Sequence, residues 1–386
     1  MRLSDRMARL GTETAFEVLV RARALEAQGR NVVHLEIGEP DFATPPHITE
    51  AAVQALKGGA THYGPSGGIP ELREAIAEDS TKRRGVRATP EMVVVTPGAK
   101  PIMFFVILAL VDEGDEVLYP NPGFPIYESM IRYIGGHPVP VRLVEEKGFG
   151  LDVEQLCKKV SSRTRLIILN YPHNPTGGVI PESGLRAIAD VAAKHGVPVL
   201  SDEIYSRILY DTEHRSIASL PGMESLAIVL DGFSKTYAMT GWRLGYGVMP
   251  APMAQVVAKL QTNATSCTAT FTQFAGVAAL RGDQAAVEAM VTEFQKRRDR
   301  IVDGLRTIAG IQCVRPKGAF YVFPNITGTG FSSRALADRL LDEAGVACLS
   351  GTAFGEFGEG YLRFSYATSM ENIEEALRRI RGLLVR

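Results

Sequence analysis

Five short runs rich in Val, Ile and Leu punctuate the middle of the chain, at Met92–Thr96, Glu116–Tyr119, Leu166–Asn170, Val197–Ser201 and Leu226–Asp231. Each is apolar without alternation, which suits a strand buried on both faces of a parallel sheet. Helical stripes lie between them. Pro70 opens one, with Leu72, Ala75 and Ile76 on one face and Gly85 past its end. Leu185, Ile188, Ala189 and Ala192 form another, which stops at His195-Gly196. Strands alternating with helices call for an α/β domain with helices on both faces of its sheet. The C-terminal third changes character. Helical patterns over Ala286–Ile308, Ser332–Ala344 and Glu371–Leu384 flank strand-like Ala319–Phe323 and Tyr361–Tyr366, so a smaller α+β domain is expected there.

A chain of 386 residues is too long for one simple core, so at least two domains are expected. Its hydrophobic share, 45%, suffices to fill them. A net charge of −1 gives no footprint for nucleic acid or an anionic membrane. Cys157, Cys267, Cys313 and Cys348 are scattered, with no CxxC. A zinc site, a disulfide framework or any other metal centre is therefore not expected, and a reducing cytoplasm fits best. The N-terminal stretch has no apolar run resembling a signal peptide. The most apolar run, Ile102–Val111, is about half the ~20 residues of a membrane span, so a buried helix is expected.

Five segments carry chemistry. In Asp231-Gly-Phe-Ser-Lys235-Thr, a lysine follows an apolar run among small and hydroxyl residues. A neutral lysine there could form a Schiff base, with Ser234, Thr236 and Arg243 offered to an anion. An ordinary loop lysine beside a structural arginine is as good an account. Thr96-Pro-Gly98-Ala99-Lys100-Pro101 reads as a strand turning into a helix, whose free N–H groups could hold an anion, or simply as a tight turn. Asn174 sits in a loop stiffened by proline and glycine after a strand, where open α/β sheets place ligands. Asp202 ends an apolar run, either salt-bridged or aimed at a cationic ligand atom, with Tyr205 three residues on. Arg363 lies in an apolar run and needs a partner, either a fixed acid or a substrate carboxylate.

Taken in order, these segments resemble the class I/II aminotransferases of fold type I, especially the bacterial aspartate aminotransferase-like branch. The likeness runs nearly end to end. It begins at Ile37-Gly-Glu-Pro-Asp-Phe and Tyr63-Gly-Pro-Ser-Gly-Gly, passes through the Gly98 turn, NPTGG, SDEIY and SKTYAMTGWR, and ends at YLRFSYAT. The resemblance implies an α/β fold-type-I architecture. It would have a large domain over 46–280 with a mostly parallel sheet, and a small domain built from 1–45 and 281–386.

It also implies pyridoxal 5'-phosphate. Lys235 would carry the cofactor and shuttle a proton, Asp202 would keep the ring nitrogen protonated, and Tyr205 and Asn174 would bond the ring's 3-oxygen. Gly98, Ala99, Ser234 and Arg243 would cradle the phosphate, and Phe124 would stack on the ring. Arg363 would bind the substrate α-carboxylate, with Gly38 lining the entrance. Lys100 matches the lysine that takes aspartate's side-chain carboxylate, although a phosphate-side or solvent role suits it equally. Residues 12–17 would cover the substrate side chain, without the hydroxyl pair of aspartate specialists. Tyr63 would reach in from a second subunit, which implies a homodimer.

Two positions depart from the pattern: Gly232 stands where a hydroxyl residue is common, and His173 where asparagine is usual. The expected reaction is ping-pong transfer of an amino group from an L-amino acid, aspartate first, to a 2-oxo acid such as 2-oxoglutarate. Alanine, aromatic or broad use and a fold-type-I β-lyase are the alternatives. A DNA-binding regulator is disfavoured because the pattern starts within the first ~40 residues. A nicotinamide dehydrogenase is disfavoured because no GxGxxG follows a strand.

Overall fold

The computed structural model describes residues 1–385. An eight-stranded sheet occupies the middle of the chain. From one edge its order is Val93–Thr96, Gly245–Val248, Ala227–Gly232, Val199–Asp202, Thr164–Asn170, Glu116–Asn121, His137–Val144 and Gly150–Leu151. Only Gly245–Val248 and Gly150–Leu151 run against the other six.

The uninterrupted apolar runs are explained by two covered faces. Leu166 and Ile168 pack with Ile102, Phe105 and Val106 of the helix Lys100–Leu110. Their neighbours Ile167 and Leu169 turn the other way, onto Leu185, Ile188 and Ala192 of the helix Glu182–His195. Each such side chain is worth about 1.5–3 kcal/mol when fully buried. Gly85 and Gly196 end their helices in the left-handed conformation, as expected.

The C-terminal third forms its own core. The helices Ala285–Arg306, Ser333–Asp342 and Met370–Leu384 surround a small antiparallel sheet ordered Tyr321–Val322, Leu362–Ser365, Leu349–Ser350. The N-terminal part joins this core. Val33–His34 pairs in parallel with Val346–Ala347, and Ser365 N–H donates to Leu35 O at 2.8 Å.

Two expected strands shift. The run expected at Val197–Ser201 pairs over Val199–Asp202, because Pro198 has no N–H to donate. Ala319–Phe323 shrinks to Tyr321–Val322, because Ala319 lies at φ 56°, outside the extended region. The pattern also passes over Gly245–Val248, whose two glycines hide its strand character. Ile102–Val111 falls almost wholly in the helix Lys100–Leu110, packed inside the protein. No helix among the described residues is long and apolar enough to cross a membrane, and all four cysteines are free.

Beneath the carboxyl ends of the strands lies a buried charge cluster. Arg84, last residue of the helix Pro70–Arg84, donates to Glu203 at 2.7 Å and to Asp231. Glu203 also meets His214 at 2.8 Å and accepts from Ser216 and Ser201. Burial works against the Glu203 carboxylate, but His214 and Arg84 hold its pKa down to about 2. Removing one member of such a cluster leaves buried charge with too little compensation. Arg84→Met is therefore expected to destabilise the protein by ~3–5 kcal/mol, read as a lower urea midpoint at pH 7.

Candidate functional site

A cleft of about 550 Å³ opens where Thr164–Asn170, Val199–Asp202 and Ala227–Gly232 end, the position open α/β sheets reserve for ligands. Eleven of the residues singled out from the sequence line it: Gly38, Ala99, Lys100, Phe124, Asn174, Asp202, Tyr205, Ser234, Lys235, Arg243 and Arg363. Gly98 lies against Arg243. Tyr63 is not in this cleft, and it is 89% exposed.

Lys235 stands three residues beyond the strand Ala227–Gly232. Its Nζ donates to Gly38 O at 2.5 Å and lies 5.9 Å from the centre of the Phe320 ring. Burial lowers its pKa to about 8; Glu39 and Glu13 oppose the shift, while Arg363 and Lys100 add to it. An amine so placed is neutral far more often than an ordinary lysine at mildly alkaline pH, as a nucleophile or base must be.

Asp202 is the last residue of its strand and points into the cleft. It accepts from the Tyr127 hydroxyl at 2.5 Å and from Ile204 N–H at 3.2 Å. Burial raises its pKa to about 6 against the pull of those two bonds. Such a carboxylate favours a cationic atom across from it. Asn170 fixes the neighbouring loop, donating to Asp202 O at 3.1 Å and accepting from Asn174 N–H at 2.9 Å. The Tyr205 hydroxyl is 2.8 Å from that of Tyr321, and burial pushes the Tyr205 phenol well above its ordinary pKa.

Arg363 enters from the strand Leu362–Ser365 and is 4% exposed. Its guanidinium lies 4.6 Å from the Tyr321 ring centre and 5.1 Å from that of Phe354. It donates to Glu36 O and, at 3.4 Å, to Asn174 Oδ1. Its Nε has no partner, and no carboxylate among the described residues forms a salt bridge with it. The fixed-acid alternative is thus not realised. A buried guanidinium with a spare donor facing a cleft is suited to an incoming carboxylate.

At the opposite end, the turn after Val93–Thr96 leads into the helix Lys100–Leu110. Gly98 takes φ 86°, and a Cβ there would collide with the Arg243 guanidinium. Thr96 Oγ1 ties the turn by donating to Gly98 O at 2.7 Å. Free helix amides, Ser234 and Arg243 converge on one side of the cleft, a set that fits a phosphate. Lys100 pairs instead with Glu13, and its Nζ lies 5.3 Å from the Phe124 ring centre.

Both departures from the expected pattern have structural accounts. A Cβ at Gly232 would come within 3.0 Å of Gly245 Cα and 3.1 Å of Leu244 O, so no hydroxyl residue fits without moving the neighbouring strand. His173 lies outside the main cleft, 2.9 Å from Thr176 Oγ1, and burial lowers its pKa to about 3, which keeps it neutral. Sequence reasoning missed Tyr127 and Tyr321, which bond Asp202 and Tyr205. The signals were present: Tyr127 ends the Asn121-Pro-Gly-Phe-Pro-Ile-Tyr segment, and Tyr321 ends Gly318-Ala-Phe-Tyr.

Known proteins similar to this chain are numerous. The chain is 45% identical to an aspartate aminotransferase of Pyrococcus abyssi, over 92% of each chain. It is 42% identical to aromatic-amino-acid aminotransferase 2 of Thermococcus litoralis, over 100% of this chain and 98% of that one. The solved structure of the Thermus thermophilus aspartate aminotransferase with maleate superimposes with a TM-score of 0.95 at 39% identity, covering 99% of this chain and 100% of that one. The family model for aminotransferases of class I and II matches residues 30–380, and the chain belongs to that family as an α/β fold-type-I aminotransferase.

Proposed function

We propose that the cleft holds pyridoxal 5'-phosphate and that the enzyme transfers the amino group of aspartate to a 2-oxo acid such as 2-oxoglutarate. The observation that carries this reading is the pairing, in one cleft, of a half-buried lysine of lowered pKa with a buried arginine whose Nε is unpartnered.

The residues present fit the cofactor. Lys235 would hold it covalently through Nζ. Asp202 would face the ring nitrogen, and the cation there would return the raised carboxyl to its charged form. Tyr205 and Asn174 would meet the ring oxygen, and Phe124 would cover a ring face. The Gly98–Ala99 turn, Ser234 and Arg243 would take the phosphate. When bound, the cofactor supplies an electron-withdrawing ring that acidifies the substrate's α-proton.

The protein's own part is to orient and to move protons. Arg363 binds the α-carboxylate and sets the α-carbon within reach of Lys235 Nζ, near Gly38. Nζ, neutral when freed, takes the α-proton and gives it back at the next atom. Tyr321 and Phe354 sandwich Arg363 and keep water from its charge.

Lys100 and the maleate-bound relative favour a dicarboxylate substrate. A second reading, transfer from aromatic amino acids, is favoured by Met103, Phe124 and Phe354 in the lining and by the name of the Thermococcus relative. We further propose a homodimer in which Tyr63 of a second copy reaches the cofactor site, a reading that its 89% exposure supports. In the same reading, 46–280 is the cofactor-binding domain, 1–45 with 281–386 the smaller one, and the protein works in the cytoplasm.

The absorbance spectrum tests the central claim. A yellow band bleached by aspartate and restored by 2-oxoglutarate supports it; pyruvate and ammonia released without an acceptor would indicate a β-lyase instead. Lys235→Ala is expected to lower transamination by ~10²–10⁴-fold or more. Loading of the cofactor-free protein should also follow Lys235. Since only neutral Nζ attacks, the loading rate should climb about tenfold per pH unit below pH 8 and level off above it. A rate flat from pH 6 to 9 would dissociate loading from this amine.

A further inference from the structure

We infer that Glu13 is a displaceable counter-ion for Lys100 and that this pair decides which side chains the cleft accepts. The inference rests on the reading of Arg363 as the α-carboxylate site, which directs the rest of the ligand toward residues 13–16 and Lys100.

Lys100 is the cation available to a second carboxylate at that end of the cleft, and it is already paired. Its Nζ bonds Glu13 Oε1, with the lysine side chain half exposed and the glutamate 18% exposed. Glu13 stands inside the site, not at its rim. It lines the cleft with Thr14, Ala15 and Phe16, and its charge is felt at Lys235, Arg363 and Tyr321.

The backbone allows Glu13 to yield. It is the residue just before the helix Thr14–Ala27, and its side chain makes no capping bond to that helix. Two residues earlier, Gly11 is tied at both N–H and C=O to Ser129 Oγ, at 2.9 and 3.1 Å. The carboxylate thus projects from a segment held at Gly11 and at the helix start, and among the described residues its side-chain partner is Lys100.

The charge arithmetic follows. With the pair closed, that end of the cleft is neutral, and Met103 and Phe124 beside it suit an uncharged side chain. A substrate with a second carboxylate is repelled by Glu13 until Glu13 releases Lys100. Lys100 then exchanges one carboxylate for another and is left unpaired in neither state. A two-stage transfer admits two different side chains to one pocket in turn. A lone fixed cation would suit only the acidic one; a cation with its own movable acid serves both.

The test compares equilibrium binding of succinate and 3-phenylpropionate to the holoenzyme by calorimetry, together with the cofactor half-reaction for aspartate and phenylalanine. Glu13→Gln frees Lys100 without changing the side-chain shape. The succinate-to-phenylpropionate affinity ratio is expected to rise about tenfold. The aspartate-to-phenylalanine kcat/KM ratio should move with it. In a Lys100→Gln background, Glu13→Gln should change the affinity ratio less than twofold. An affinity ratio that Glu13→Gln leaves within twofold, or the same rise with Lys100 absent, overturns the inference. Binding that shifts as expected while no amino acid bleaches the cofactor would support the counter-ion and refute the proposed reaction, so the two failures are separable.

Discussion

Three backbone segments meet at a distance that only glycine permits. Gly245 lies in the strand between Val93–Thr96 and Ala227–Gly232. A Cβ there would collide with Gly98 and Ala99, and one at Gly232 would press on Gly245. The strand on one side runs into the turn that offers helix amides to an anion. The strand on the other side runs into the loop of Lys235. Their separation is therefore set by a steric contact instead of by side-chain bonds, and the helix start and the lysine hold a fixed relation. Arg243 fits against Gly98 for the same reason. The missing hydroxyl at position 232 is a consequence of this packing, not a defect in the site.

On that frame the cleft gathers charges that a protein interior resists. Burial lowers the pKa of Lys235, raises that of Asp202 and leaves Arg363 with an unpartnered Nε. Each departs from its ordinary state in the direction that a bound partner of opposite charge would reverse. Such departures also arise in purely structural ion clusters. The contrast with Arg84 is instructive, since that arginine is equally buried but holds two carboxylates. One cluster is closed on itself and supports the strand ends; the other is left open toward the cleft.

Much of this was legible in the sequence because local chemistry and local structure coincide. The runs around Leu166–Asn170 and Leu226–Asp231 had to be doubly buried strands, and the residues at their ends had to emerge together. Lys235, Asp202 and Asn174 stood out on those grounds as candidates, while the roles given to them came from the family resemblance. Gly245–Val248 was not, because its glycines answer to a neighbour about 147 positions earlier in the chain, which no periodicity reports. Tyr127 and Tyr321 were passed over for a related reason. Their hydroxyls matter only through the distant partners Asp202 and Tyr205. His173 stood out in sequence only as a departure from the family pattern, and its burial beside Thr176 places it outside the cleft.

The two ends of the chain contribute what the central sheet lacks. Gly38 and Glu13 come from the N-terminal part, Arg363 from the C-terminal part, and the parallel pairing of Val33–His34 with Val346–Ala347 binds those parts together. The sheet supplies Lys235, Asp202 and the Gly98 turn, the groups that in the proposed reading hold and polarise the ligand. Lys100, Met103 and Phe124 of the lining also come from beside the sheet, and the chain ends add Gly38, Glu13 and Arg363 to them. In the proposed reading, changes in the end segments alter what is bound while Lys235 and the Gly98 turn stay where Gly98, Gly232 and Gly245 put them. A fold divided in this way can vary its specificity through the chain ends without disturbing the residues carried by the sheet.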